Sequence, residues 1–184
     1  MGFLKQIRAA HKAGQLVRVE REAIEFGWMT GYITALGPEY FAFEIVTGSV
    51  RLDGVACLRY ADVTGCGAEP RSGFIERAMK ARGLVRASQL PVDLASLSRI
   101  IESCGNAFPI ITLHVPHSDG QGYDCFIGKV IGVNKASVDF RHITPDGAWE
   151  DALLEIPFDE ITRVDFGGDY EEALLLAAGR PPAI

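Results

Sequence analysis

Tyr123 to Leu176, YDCFIGKVIGVNKASVDFRHITPDGAWEDALLEIPFDEITRVDFGGDYEEALLL, has the residue pattern of a strongly bent sheet, and nearly everything before it reads as a looser copy. Cys125, Ile127, Val130 and Val133 mix with Gly128 and Gly132, which suits a strand curling where a side chain would collide. Ser137 to Thr144 alternates: Val138, Phe140 and His142 face one way, Asp139, Arg141 and Ile143 the other. Pro145-Asp146-Gly147 is a turn, since it offers a preset φ, a side chain able to bond its own backbone, and a residue free to take positive φ. Leu153 to Phe158 and Ile161 to Phe166 read as two more short strands parted by Asp159-Glu160. After Gly167-Gly168, Asp169 and Glu172 are spaced as a capping box for a helix over Tyr170 to Ala178.

A shift of 97 places Gly31 on Gly128, Ile33 on Val130, Leu36 on Val133 and Phe43 on Phe140. One extra loop residue makes the shift 98, so that Leu58 to Thr64 lies on Ile156 to Thr162. The unit is a helix, five strands and a helix, present twice. In the first copy Phe3 to Lys12 is the leading helix and Gln15 to Ile24 opens the sheet. A helix over Phe74 to Arg82 follows, and then one capped by Asp93, carrying Leu94, Leu97, Ile100 and Ile101 and ending at Gly105. The expected fold class is therefore mainly β: two tandem five-stranded bent-sheet barrels of SH3 type, each flanked by short helices. Residues 1–70 form the first domain, 71–92 a helical linker and 93–184 the second domain with its C-terminal helix.

Charge divides unevenly along the 184 residues, with net 0 over residues 1–66, +2 over 67–108 and −8 over 109–184. The acidic second copy repels phosphate. A basic face is confined to Lys5, Arg8 and Lys12 on the first helix, with Arg18 and Arg21 beyond, and to Arg71, Arg77, Lys80, Arg82 and Arg86 in the linker. The plainer reading of these residues is the solvated side of amphipathic helices. No apolar run is long enough to span a membrane, and the first residues show no signal-peptide core, so a cytoplasmic protein is expected. The cysteines at 57, 66, 104 and 125 have no CxxC spacing and read as reduced packing residues in buried apolar runs.

The helix and five bent strands, the glycine of each second strand, and the stretches GYITALGPEYFAFEIV, DGVACLRYADVT, YDCFIGKVIGV and DEITRVDFGGDYEEAL resemble the Sm-like fold. They are similar to a group of bacterial proteins of unknown function with two Sm-like halves. The resemblance covers about residues 15–178 and implies a fold more than an activity. RNA-binding Sm proteins carry Asp and Asn in the loop after the second strand and a basic residue with Gly between the fourth and fifth strands. Here the Asp position is Gly37 in one copy and Asn134 in the other. The later loops read Tyr60-Ala61-Asp62 and Phe158-Asp159-Glu160, acidic where that RNA pocket is basic. Tyr40 and Phe41 have the faces to stack on a base, but at a strand start they read as core.

No catalytic constellation, metal site or cofactor is expected. His114 and His117, with Asp119 and Asp124 nearby, are the one ligand-like cluster, yet positions i and i+3 on a strand point to opposite faces. Ser118 to Gly122 is a hairpin turn with no helix after it, unlike a phosphate loop. Nothing in the sequence places a base beside Cys125 or Cys104. The expectation is a non-enzymatic interaction, scaffold or regulatory module that oligomerises, or binds a protein partner, through strand edges. The edge candidates are Val55, Cys57, Arg59, Val63, Leu153, Ile156, Thr162, Val164 and Phe166. The alternative is RNA binding through Lys5, Arg8, Lys12, Arg77, Lys80 and Arg82, with DNA and membrane not expected. A small-molecule pocket between the halves is the third reading.

Overall fold

Short alternating runs broken by glycine and acidic turns carry the chain into ten strands, because period-two patterns bury one face of each. The computed structural model describes residues 2–87, 89–117 and 122–182. The first half holds α1 (Leu4–Ala13), β1 (Leu16–Glu20), β2 (Trp28–Leu36), β3 (Tyr40–Val46), β4 (Leu52–Arg59), β5 (Gly65–Ala68) and α2 (Ser72–Ala81). The second holds α3 (Leu97–Ala107), β6 (Ile111–Pro116), β7 (Tyr123–Val133), β8 (Ser137–His142), β9 (Leu154–Pro157), β10 (Arg163–Phe166) and α4 (Asp169–Ala178). The Ser118–Gly122 turn and Asp119 fall outside the described residues, apart from Gly122.

The ten strands of the described residues join one antiparallel sheet in the order β5-β1-β2-β3-β4-β10-β6-β7-β8-β9. The sheet is open, which corrects the expectation of two closed barrels. β4 does not close on β5 of its own half; it pairs with β10, where Val55 and Cys57 lie opposite Phe166 and Val164 in one buried cluster with α3. Covering those apolar side chains on both sides of the joint favours continuation of the sheet over closure.

The two halves pair in the same register. Gly31 faces Ile45 and Ile33 faces Phe43, while Gly128 faces His142 and Val130 faces Phe140. Both hairpins carry an irregularity at the same place, after Ile33 and after Val130, where an extra residue sharpens the bend. Phe41 opposite Leu58 recurs as Val138 opposite Ile156. The glycines explain themselves: a Cβ on Gly31 would fall on the Glu44 carbonyl oxygen, and one on Gly128 on that of Arg141. Gly128→Ala is therefore expected to cost about 1–3 kcal/mol in urea unfolding, because backbone must move. Gly132→Ala, whose nearest neighbour is the movable Asp139 Oδ2 at 3.3 Å, is expected to stay within about 0.5 kcal/mol.

The helices repeat too. Ile7 and Ala10 of α1 pack on Val17, Val19, Ile33, Phe41, Phe43 and Leu58. Ile100, Ile101 and Cys104 of α3 pack on Ile111, Leu113, Val138, Phe140 and Ile156, and additionally on Tyr40, Ala42, Val55 and Cys57 of the first half. Leu58, in the α1 core, lies opposite Arg163, whereas its neighbour Cys57 lies opposite Val164 in the α3 core. The two cores therefore sit on opposite faces of one sheet. On the reverse side of each half, α2 places Ile75 and Met79 against Leu16, Tyr32 and Val46, and α4 places Leu174 against Ile110, Ile127 and Ile143.

Two helix ends differ from expectation. Ser96, not Asp93, caps α3, its side chain accepting from the Arg99 N–H, and the helix runs past Gly105 to Ala107. α4 starts at Asp169 after Gly168, without a side-chain cap. The Asp169 N–H instead bonds Asp53 Oδ1 of the first half at 2.8 Å, so this helix end is satisfied across the chain.

Candidate functional site: strand edges and the seam between the halves

Of the expected edge residues, Val55, Cys57, Val164 and Phe166 meet at the internal β4–β10 joint. Ile156 lies in β9, which ends the sheet, and exposed Leu153 directly precedes it. The others lie elsewhere. Arg59 pairs with Tyr40 and forms a bidentate ion pair with Asp62; Val63 is buried in the α1 core; Thr162 is buried with its N–H on the His114 carbonyl. At the other end of the sheet stands β5, whose residues Cys66 and Ala68 matter as backbone donors.

Which main-chain groups these ends offer follows from alternation. Glu69 N–H bonds the Leu16 carbonyl and Phe158 N–H bonds the Ala136 carbonyl. Counting by twos, Gly65 and Gly67 point their N–H groups at β1, so Cys66 and Ala68 point theirs outward; Leu154 and Ile156 point theirs at β8, so Glu155 points outward. An edge with free donors and acceptors is a template for another strand.

On the other face of the joint lies a polar seam that the sequence reading missed. Arg163 forks onto Asp165 at 2.7 and 2.6 Å and reaches Glu25 Oε2 at 3.2 Å. His114, across from Arg163, has Nε2 3.1 Å from Asp165 Oδ2 and Nδ1 3.4 Å from Cys125 Sγ. Above them Arg21, 1% exposed, faces Glu25 at 3.6 Å with Nε and Nη1 unbonded. Burial pushes the Arg21 guanidinium down, opposed by Glu25. Burial alone would raise the Asp165 carboxyl, but Arg163 and His114 hold it well below the usual carboxylate range.

Cys125, His114 and Asp165 stand in the order of a nucleophile, a base and an orienting acid, and Cys125 is exposed rather than buried. Partial desolvation nevertheless pushes its thiol up, and the Asp165 carboxylate is engaged by two guanidinium nitrogens. The row thus favours a neutral thiol over the thiolate that reacts. The signal in the sequence was the inward alternation of Arg163 and Asp165 with Val164 and Phe166. Arg163 and Asp165 lie on the face opposite Val164 and Phe166, where β6 and the segment after β1 meet them.

His117 lies 3.1 Å from Asp124, apart from His114, and among the described residues no group of three His, Cys, Asp or Glu gathers as metal ligands. No helix is long and apolar enough to cross a membrane among the described residues. No family model matches the chain, and no curated protein or solved structure does.

The basic candidates divide. Lys5, Arg8, Lys12, Arg77, Lys80 and Arg82 are all exposed, but α1 packs on Val17 and α2 on the adjacent Leu16. Neighbours on a strand face opposite ways, so the two sets flank opposite faces of the sheet and form no single basic stripe. Arg82 is further engaged by the carbonyls of Ser49 and Val50. Tyr40 and Phe41 are buried.

Proposed function

We propose that the chain is a non-enzymatic Sm-like interaction module, two Sm-like halves in tandem, that assembles with further copies of itself through the two ends of its sheet. One observation carries this reading: by the shift of 98, β9 is the counterpart of β4 and β10 the counterpart of β5. The free ends are thus the same two strands that already join in the middle. Carried over to two chains, that joint sets Glu155 opposite Cys66, Ile156 opposite Gly65 and Leu154 opposite Gly67. The outward donors of Glu155 and Cys66 then face each other. Such a contact is head to tail, so it closes into a ring or continues as a filament. Leu153, 43% exposed in the single chain, would be covered.

Light scattering on a sizing column, run at low and high salt with absorbance at 260 and 280 nm, tests this. The expected result is a mass several times that of one chain, unchanged by salt and free of nucleic acid. A single-chain mass at micromolar concentration would overturn the reading. A raised 260/280 ratio that falls in high salt would replace it with RNA binding, since phosphate contacts weaken steeply with salt.

A further inference from the structure

Between the segment after β1 and the start of β7 lies a cavity of about 750 Å³, lined by Glu20, Glu22, Glu25, Phe26, Trp28 and Tyr123 among others. Soluble proteins seldom leave large aromatic side chains in water together. Here Phe26 is fully exposed, Trp28 is 54% exposed and Tyr123 is 36% exposed, and all three share one opening. Three carboxylates line the same cavity, and among the described residues no Lys, Arg or His does. Glu20 and Glu22 have no ion pair among the described residues, whereas Glu25 is already paired with Arg21 at 3.6 Å and with Arg163 at 3.2 Å. Trp28 already attracts a cation: the Arg18 guanidinium carbon stands 4.3 Å from its ring centre.

We infer that this cavity is a binding site for a small organic cation bearing an alkylated ammonium group. The negative ring faces of Phe26, Trp28 and Tyr123 attract a poorly hydrated cation, and the carboxylates of Glu20 and Glu22 supply the opposite charge. A phosphate or nucleotide meets repulsion from the same carboxylates, and a neutral apolar ligand leaves them desolvated and unpaired. The volume falls in the range of small-molecule pockets. Glu20 of the site pairs with Gly65 of the end strand β5, but no lining residue lies in β5 or β9, and the cavity is formed within one chain.

Choline is the probe, and 3,3-dimethylbutan-1-ol, which replaces its ammonium nitrogen by carbon, is the neutral control. The readout is the indole N–H resonances of Trp28 and Trp149, the latter bonded to the Gly179 carbonyl and serving as an internal reference. The expected result is a saturable shift of the Trp28 signal by choline at constant ionic strength, with Trp149 unmoved and the alcohol binding at least about tenfold more weakly. Glu22→Gln and Phe26→Leu, both at exposed positions and so harmless to the fold, are each expected to weaken choline several-fold. A Trp28 signal unmoved by choline, equal binding of the alcohol, or choline binding unaffected by either substitution would overturn the assignment.

Discussion

Replacing Glu155 with proline is expected to stop self-association while leaving the folded chain intact. The substitution removes an N–H that points away from β8, so no backbone bond within the sheet is lost; the one side-chain bond given up is that from Ser137 Oγ to Glu155 Oε1 at 2.7 Å. At the joint between chains it removes a ladder bond and sets a ring against the facing strand. A cost of about 3 kcal/mol weakens the contact by a factor on the order of a hundred. Cys66→Pro is the matching change on β5, where the Cys66 N–H also points outward. Each variant retains one good end. Mixed in equal amounts, they are expected to form a dimer of one of each and nothing larger, which native mass spectrometry resolves. Pairing of β9 with another β9 would instead leave Cys66→Pro fully assembled, and that result would refute the head-to-tail contact.

The order of elements was legible in the residues because the two strongest local signals, periodicity and glycine position, are themselves local. Gly31 and Gly128 announce tight bends wherever their strands pair, and the shift from 97 to 98 was readable from one added loop residue. What β4 pairs with was not. Its apolar run says that its faces are covered, but an edge seeks any strand of suitable register, and that partner lies more than a hundred residues away in β10. The same gap hid the seam. Cys125, His114, Arg163 and Asp165 come from three strands, and their neighbourhood exists only once β10 lies between β4 and β6. The residues of the cation site were missed for another reason. Exposed Phe26 and Trp28 have the composition of core residues, and nothing in a strand-like pattern separates an aromatic left in water from one that is packed.

Asp165→Asn is expected to be the most damaging single change in stability. The neutral amide leaves Arg163, which is 11% exposed at its side chain, with only Glu25 against its charge, while Arg21 sits nearby with two unbonded nitrogens. Removing one partner of a buried pair costs about 3–5 kcal/mol, since a charge is stranded in low dielectric. An Asp165→Leu, Arg163→Met double change removes both charges and is expected to recover most of that loss, as matched apolar groups fill the space. The pH dependence has a defined sign. A carboxyl whose folded pKa lies below its unfolded value stabilises the fold above the unfolded pKa, and that contribution disappears as pH falls towards the folded one. The parent protein should therefore lose stability between about pH 5 and pH 2, and Asp165→Asn should lose less over the same interval because that slope has been removed. Urea unfolding across this range, in the Glu155→Pro background so that the reaction involves one chain, separates the seam's contribution from that of assembly. An unchanged acid slope would mean that Asp165 is not held by Arg163, and the seam would then be a surface contact instead of the charged joint between the two halves.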